Sequence, residues 1–421
     1  MDGIINLILL LLVLTVLVLL HELGHFVAAR RAGVTVHEFG IGFPPRAAVL
    51  FRRGDTVYTL NWLPIGGFVR MEGEERSPAD GTPEDEEEQE AQLQPERADH
   101  VESLDPNAFS NRSLCTRLWI LFAGVAVNFV LAWLIFTLIA FAAQPIWKVR
   151  VADVQAGSPA AAAGLIGGEY LQTVMVPDID ADGQPIEVPV DVFDASGDAI
   201  VAVDGQAFPV FDDLSQTDTA GPVRPGLLAY ISGRPSETVV LTVERADGTT
   251  DEVEATTRSA TAIAANEGAL GFQIQGYEFG SQQNGIGESM VIGLERTVET
   301  STLILRALGN IVVGIFSGTG EGLDEVAGPV GMVSVIGDVR TSLPPVFLLW
   351  FVGLISANLA VLNALPIPPL DGSRAVMAIV QRLSGNRISA TTERLVYLTG
   401  WVALMIFIVI VTLGDIQRIV E

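Results

Sequence analysis

Two histidines and a glutamate stand at a spacing that can hold a metal ion: His21, Glu22 and His25, in the run HELGH. On an α-helix, side chains four residues apart project from nearly the same face, so both imidazoles can bind one ion. Glu22 is turned aside, toward the water molecule that the ion would activate. The pattern predicts hydrolysis at a zinc site, with His21 and His25 as metal ligands and Glu22 as the catalytic base.

This motif ends an uncharged apolar run that begins at Gly3. A charged side chain near the middle of a membrane helix costs roughly 2.5 to 3.5 kcal/mol on insertion scales, so polar groups there need a reason. A metal site supplies that reason. The alternative is that the three side chains only reach for the membrane surface, whose position Arg30 and Arg31 mark.

The composition predicts a polytopic α-helical membrane protein with four transmembrane helices. Of 421 residues, 49% are hydrophobic, and they cluster in blocks. Four blocks are long enough for the roughly 20 residues that span a bilayer: Gly3 to Ala29, Leu118 to Trp147, Thr341 to Leu370 and Leu395 to Gly414. Apart from Glu22, these blocks contain no Asp, Glu, Lys or Arg. The first block has a long apolar core and no cleavage site before the histidines, so we expect a retained span rather than a signal peptide.

Basic residues indicate how these spans are oriented. The loop at 30–117 contains ten arginines, and the loop at 371–394 adds four more, whereas the 193 residues of 148–340 contain nine basic residues. Cytoplasmic loops carry the excess of Lys and Arg. We therefore expect both shorter loops in the cytoplasm, the middle region outside, and the HELGH motif near the cytoplasmic face of the membrane.

The net charge of -26 is concentrated in the soluble parts, above all in the acidic run at 84–90. A run of this kind predicts a solvated, disordered linker over about 73–110. The acidic balance also excludes nucleic acid as a partner, because phosphate binding needs clustered Lys and Arg. The lone Cys115 permits no internal disulfide.

Residues 31–72 contain two short β-prone runs, Val57–Trp62 and Phe68–Met71, on either side of a turn rich in Pro and Gly. They predict a membrane-associated β-hairpin with its turn at 63–67. An exposed edge strand of such a hairpin accepts an unwound substrate segment through backbone hydrogen bonds. Gly66, Gly67 and Phe68 are therefore candidate substrate-binding residues; an ordinary surface hairpin is the alternative.

Residues 148–275 are rich in β-branched residues and turn signals, which predicts an extracytoplasmic β-rich domain. Two runs, Gly157–Leu165 and Gly197–Gly205, resemble the paired signatures of bacterial PDZ domains, but an insertion at about 168–196 separates them. From 276 to 340, apolar residues recur at helical spacing, which predicts an amphipathic helical region.

A catalytic zinc usually has three protein ligands, and HELGH supplies two. His37 lies in a loop twelve residues beyond the motif, and His100 follows the acidic linker. The better candidate is Asp371, which follows Pro366, Pro368 and Pro369 at the cytoplasmic end of the third span. Proline-broken backbone at membrane depth is tolerated where it is buried in protein or lines a cavity. An aspartate capping a loop outside the membrane is the alternative.

Together, these segments resemble the site-2 protease family of intramembrane zinc metalloproteases, in particular its RseP-like bacterial group. The likeness covers nearly the whole chain. It rests on HELGH, on Asn363–Gly372 as NxxPxPxLDG, and on four further runs: Phe39–Pro44, Gly66–Met71, Ala123–Phe129 and Gly328–Gly331. Val125 replaces a frequent proline, and Ser373–Arg374 follows the LDG run where glycine and histidine are frequent.

The resemblance implies a zinc-dependent intramembrane endopeptidase in which Asp371 is the third zinc ligand. Asn363 and Asn128 are candidates for holding the substrate backbone or the oxyanion, with helix–helix hydrogen bonding as the alternative. Implied substrates are single-span membrane proteins such as anti-sigma factors or signal-peptide remnants, with peptide contact through the PDZ domain. Two other classes stay open: a PDZ membrane scaffold with a vestigial metal site, and a metal or proton transporter.

Overall fold

The computed structural model describes residues 2–74, 105–179, 185–193, 196–208, 226–264, 268–317, 328–385, 388 and 390–420. The acidic run at 84–90 and His100 lie outside these residues. The chain forms two compact units. We call residues 1–139 with 286–421 the membrane unit, and residues 140–285 the sheet unit.

The helices of the described residues are α1 (Asp2–Arg31), α2 (Leu114–Ala143), α3 (Pro159–Ala162), α4 (Gly226–Ser232), α5 (Ala260–Ala264), α6 (Ile286–Ser317), α7 (Pro329–Ser342), α8 (Val346–Ala364), α9 (Asp371–Ser384) and α10 (Ala390–Val420), with a 3-10 turn at Phe109–Asn111. The strands are β1 (Val36–Arg53), β2 (Thr56–Met71), β3 (Gln144–Val154), β4 (Tyr170–Ile179), β5 (Pro185–Phe193), β6 (Ala199–Val203), β7 (Gln206–Ala207), β8 (Thr238–Glu244), β9 (Thr250–Thr256) and β10 (Phe272–Gln282).

Four helices of the membrane unit, α1, α2, α8 and most of α10, are long and apolar enough to cross a bilayer, as the sequence predicts. Prolines move two of the predicted boundaries. The second span ends at Ala143 instead of Trp147, because the residue before Pro145 is driven toward extended backbone. The third span is α8 alone, since Pro344 and Pro345 separate it from α7.

Three other predicted boundaries also differ. The loop predicted at 371–394 contains the helix α9, which begins at Asp371. The fourth span extends beyond 395–414 at both ends. Residues 276–282 of the predicted amphipathic region belong to β10, and the helical part starts with α6 at Ile286.

The predicted hairpin with its turn at 63–67 is wrong. The two runs belong to one long strand, β2, which pairs with β1 around a turn at Gly54–Asp55. Glu38 of β1 lies opposite both Val57 and Arg70 of β2, so the first half of β1 has one half of β2 on each side. The Pro- and Gly-rich residues at 63–67 lie within β2, and the strand pairing depends on β1, which local turn signals do not reveal.

This β1–β2 sheet has polar residues inside and apolar residues outside. Thr59 and Asn61 are buried, whereas Leu60 and Trp62, which alternate with them along the strand, are exposed, Trp62 by 71%. Strand residues alternate between the two faces of a sheet. The alternation therefore places polar groups in the interior and a large apolar surface outside, the arrangement that suits lipid rather than water.

A buried carboxylate of the fourth span fixes the start of α7. Asp415 of α10 accepts hydrogen bonds from the backbone N–H groups of Gly328 (3.1 Å) and Gly331 (2.8 Å). These N–H groups lie at a helix N-terminus, where an acceptor and a negative charge are both stabilising. A Cβ atom on Gly328 would lie 2.6 Å from Asp415 Oδ2, so the glycines of the Gly328–Gly331 run make room for this cap.

The sheet unit is built on one antiparallel path, β10–β3–β6–β8–β9, with β7 paired to β6. Its core is apolar and includes Val149, Ile200, Leu227 and Leu241. The strands run from Gln144 to Gln282, beyond the predicted limits of 148 and 275 at both ends.

The insertion at about 168–196 leaves this sheet intact. Its described residues contain a separate two-stranded sheet, β4–β5. At its base, the backbone N–H of Ile166 donates to Asp198 Oδ2 (2.8 Å), and the N–H of Asp198 donates back to Ile166 O (2.9 Å). The residue that follows the first signature run is therefore hydrogen-bonded to the second run.

Candidate metal centre

Three predicted ligand side chains converge on one point. His21 and His25 of α1 are buried, and their Nε2 atoms lie 3.1 Å apart. Asp371 Oδ2, some 350 residues away in sequence, lies 2.8 Å from His21 Nε2 and 3.2 Å from His25 Nε2. The structure thus brings together the two halves of the site that the sequence predicts.

These three atoms fit a zinc ion. In tetrahedral coordination with bonds of about 2.0 to 2.1 Å, neighbouring donor atoms lie roughly 3.3 Å apart, close to the distances observed here. Two imidazoles and one carboxylate form a ligand set found in catalytic zinc sites, which keep a fourth position open. The donor chemistry and the spacing both match zinc.

The second span provides the wall against which the imidazoles lie. A Cβ atom on Gly124 would lie 2.5 Å from His25 Nε2 and 2.7 Å from His21 Nε2. A Cβ atom on Gly24 of α1 would likewise lie 2.6 Å from the backbone oxygen of Ala123. The two helices therefore approach backbone to backbone, and glycine at 24 and 124 is required for the ligands to fit.

One face of α2 also orients both imidazoles. Ile120, Gly124 and Asn128 are four residues apart and share that face. His25 Nδ1 lies 2.8 Å from the backbone oxygen of Ile120, to which it donates when Nε2 is left free for a metal. On the other side, the amide of Asn128 lies 3.3 Å from His21 Nδ1. Each ligand imidazole thus has a contact at the nitrogen that points away from the metal position.

Asp371 is positioned by the proline-rich turn between α8 and α9. A Cβ atom on Gly372 would lie 2.3 Å from the backbone oxygen of Leu365, so the chain folds back tightly at this glycine. Pro368 of the same turn packs against Gly400 of α10, where a Cβ atom would lie 2.4 Å from it. The first turn of α9 is thereby held next to the end of the third span.

Glu22 lies beside the ligands. One of its carboxylate oxygens is within 4.8 Å of a ring nitrogen of both His21 and His25. It lines a small cavity together with His25, Asp371, Val69 and Met71. A carboxylate at this position can exchange protons with a water molecule in the cavity.

Two charged residues at the edge of this cavity were not predicted. Arg374 Nη1 donates to Glu74 Oε1, and this ion pair joins α9 to the end of β2. The sequence did show Arg374 as a departure from the family pattern, but Glu74 has no distinguishing signal.

Gly124 was likewise missed, although a glycine inside the second span is an observable hint of close helix packing.

The remaining predicted residues are placed differently. Gly66 and Gly67 lie against the first span, where added Cβ atoms would be 3.3 Å from Val18 and 2.7 Å from Leu19. The ring of Phe68 covers Gly40 of the neighbouring strand segment. Asn363 is half-buried on α8, and no hydrogen bond among the described residues joins it to the metal-binding groups.

His37, considered as a ligand, is also away from this centre: its Nε2 lies 2.6 Å from Glu72 Oε2. Four apolar spans together with a His–His–Asp centre and an adjacent glutamate define a class: a membrane-embedded zinc hydrolase.

Comparison with known proteins places the chain within that class. The model of peptidase family M50 matches residues 9–407, so the chain belongs to this family, the site-2 proteases. It is a multi-pass membrane protein and a zinc-dependent intramembrane endopeptidase.

Several curated bacterial proteins are similar over almost their whole length. The chain is 26% identical to the zinc metalloprotease RasP of Geobacillus kaustophilus, over 96% of this chain and 95% of that protein. It is 26% identical to the regulator of sigma-W protease RasP of Bacillus subtilis, over 96% of each chain. For the zinc metalloprotease RasP of Shouchella clausii, the identity is 27% over 97% of each chain.

Proposed function

We propose that His21, His25 and Asp371 hold the zinc ion of this protease and that Glu22 is its general base. The convergence of three ligand atoms within 3.2 Å of one another, beside Glu22, carries this proposal. The contact between Asn128 and His21 supports a role for Asn128 in orienting that ligand rather than in holding the substrate.

The reaction is hydrolysis of a peptide bond in a membrane-spanning segment. A bound zinc ion acidifies water and polarises a carbonyl group. Glu22 takes a proton from the attacking water as the new C–O bond forms, and returns it to the amide nitrogen as the C–N bond breaks. The cavity lined by Glu22, Asp371 and Arg374 would supply this water molecule.

The substrate strand docks, in our proposal, along the Gly67–Met71 segment of β2. One edge of this segment pairs with β1, and no strand among the described residues pairs with the other edge. Val69 and Met71 of the segment line the cavity with Glu22 and His25. A helical substrate hides its amides in its own hydrogen bonds, so an unwound strand paired here would present its backbone to the catalytic groups.

The substrate class follows from the membrane setting and from the relatives. One relative is named as a regulator of sigma-W protease. We propose that this chain cleaves single-span membrane proteins, such as anti-sigma factors or remnants of signal peptides, within the lipid bilayer. The surplus of arginine in the loops at 30–117 and 371–394 supports an active site near the cytoplasmic face of a bacterial plasma membrane.

The sheet unit is proposed to be an extracytoplasmic PDZ domain that selects substrates. Its strand order leaves β10 and β9 as the edges of the path among the described residues. An edge strand is the element to which a peptide adds in PDZ recognition. The unit would contact a carboxyl terminus or exclude large outer domains.

Incubation of the purified protein with a single-span model substrate tests the assignment. Wild type should cleave, chelation should stop cleavage, and Glu22→Gln should lower kcat by about 100- to 10,000-fold, the contribution of a general base. Glu288→Gln, an exposed glutamate of α6, is the control and should cleave normally. Undiminished cleavage by Glu22→Gln would exclude the mechanism, and no cleavage by wild type would favour the scaffold or transporter.

A further inference from the structure

One buried carboxylate joins all parts of the β1–β2 sheet. Glu38 is 2% exposed and lies in the middle of that sheet. Its Oε2 accepts from Arg46 Nη2 (2.8 Å) and lies 3.2 Å from Arg70 Nη2. Its Oε1 accepts from the Thr59 hydroxyl (2.7 Å).

Each of these partners belongs to a different segment of the two strands. Arg46 begins the outer half of β1, Thr59 lies in the first half of β2, and Arg70 lies in the second half of β2. The first half of β1, which carries Glu38, runs between the two halves of β2. A single side chain therefore connects every segment of the sheet to the central one.

The surroundings make this cluster sensitive to change. The outward face of the sheet carries exposed Phe51, Leu60 and Trp62 and suits contact with lipid. Charges in a low-dielectric setting are stable only when paired, and removal of one partner leaves the other charges uncompensated. Loss of the Glu38 carboxylate would leave Arg46 and Arg70 as neighbouring like charges.

Arg70 connects the cluster to the catalytic cavity. Arg70 lies directly opposite Glu38 in the sheet register. Its two neighbours in sequence, Val69 and Met71, line the cavity with Glu22 and His25. Whatever fixes Arg70 also fixes the strand segment next to the catalytic groups.

We propose that Glu38 is a positioning residue of this protease, one that holds the Gly67–Met71 segment where the substrate strand docks. The inference rests on the proposed docking of the substrate at this edge. Glu38 touches neither the metal-binding groups nor, in this proposal, the substrate, and it acts through Arg70.

Kinetics of Glu38→Gln on a single-span substrate test the proposal, with Asp55→Asn as the matched control. Asp55 is an exposed carboxylate in the turn of the same sheet. A remote change that misplaces a docking element by about 1 Å can cost around 100-fold, so we expect kcat/KM to fall by 10- to 100-fold, mainly through a higher KM. Zinc content should stay at the wild-type level, because the ligands lie on α1 and α9.

Crosslinking provides a readout that does not depend on turnover. In a Glu22→Gln and Cys115→Ser background, an added thiol oxidant such as diamide should link Val69→Cys by a disulfide to cysteines placed along the unwound part of the substrate. Adding Glu38→Gln should lower the yield about tenfold, in line with a displaced segment, while Asp55→Asn should leave it unchanged.

The outcomes are distinct. An unchanged KM and an unchanged crosslinking yield in folded, zinc-loaded Glu38→Gln would overturn the inference. If Glu38→Gln does not fold, Thr59→Val removes one hydrogen bond and keeps both ion pairs, and it should raise KM by a smaller factor. A KM of Thr59→Val equal to that of wild type would then overturn the inference. Absence of cleavage by wild type would instead contradict the proposed function.

Discussion

Buried and less buried residues alternate along the strands of both the β1–β2 sheet of the membrane unit and the main sheet of the sheet unit. The buried residues are polar in β2 of the first sheet and apolar in β8 of the second. In β2, Thr59 and Asn61 point inward while Leu60 and Trp62 are exposed. In β8 of the sheet unit, Val239 and Leu241 are buried, with Thr242 on the other face. The difference teaches that strand periodicity is set by the backbone, whereas the surrounding solvent decides which residues face inward.

The two units also differ in what they offer to chemistry. All of the metal-binding groups belong to the membrane unit, where Gly24 and Gly124 let two helices pack closely enough to hold them. The buried residues at the centre of the sheet unit are apolar. The buried polar groups that catalysis requires therefore lie in the membrane unit, whereas the core of the sheet unit stabilises its fold by apolar packing.

The largest expected effect comes from closing the space beside the ligands. Gly124→Ala places a methyl group 2.5 Å from His25 Nε2, so zinc retention and cleavage should fall by about 100-fold or more. Metal analysis and cleavage assays measure both. The matched control is Gly309→Ala on α6, where an added Cβ meets nothing within 4 Å and the change should be neutral or slightly stabilising. Full zinc occupancy in Gly124→Ala would contradict the site geometry.

The apolar outward face of the β1–β2 sheet is tested directly by a pair of lysine substitutions. Leu60→Lys places a charge on the outward face of β2 and should destabilise the membrane-inserted protein by about 2 to 4 kcal/mol. Thr250→Lys, at an exposed position of β9 in the sheet unit, should change stability by no more than about 0.5 kcal/mol. Thermal unfolding in lipid nanodiscs compares them. Equal tolerance of the two lysines would mean that the β1–β2 sheet does not face lipid.

The polar contact at Asn128 should matter for metal affinity. Asn128 is fully buried beside His21 Nδ1, and loss of such an outer contact typically lowers metal affinity by about 10- to 100-fold. We expect this loss in Asn128→Leu, measured by competition with a chelator, with kcat of the zinc-saturated enzyme affected less. Retained affinity with a raised KM would instead favour the substrate contact that the sequence suggested.

The smallest expected effect concerns the cap of α7. Asp415→Asn removes the charge but keeps the shape, so the unfolding free energy should fall by about 1 kcal/mol. The measurement is thermal unfolding of the membrane-inserted protein. Zinc content and cleavage should be unchanged, because the capped helix start is not among the groups around the metal centre. A loss of zinc in Asp415→Asn would show that this cap also shapes the site.

Much of the candidate site could be predicted from sequence because its signals are local. The spacing of His21 and His25 defines a helix face, and three prolines before Asp371 mark a break at membrane depth. The four spans follow from apolar length alone. In each case, neighbouring residues determine the structure, so no distant contact needs to be known.

What the sequence by itself determined, then, is the set of four apolar spans, and it predicted the two groups of residues, His21 with His25 and Asp371, that lie together in the structure. Only the tertiary structure decided that β1 would run between two halves of β2, that Gly124 would lie against both imidazoles, and that Glu38 would join the whole sheet. These features depend on residues far apart in the chain, whose pairing is chosen by packing and by the pairing of buried charges rather than by any local pattern.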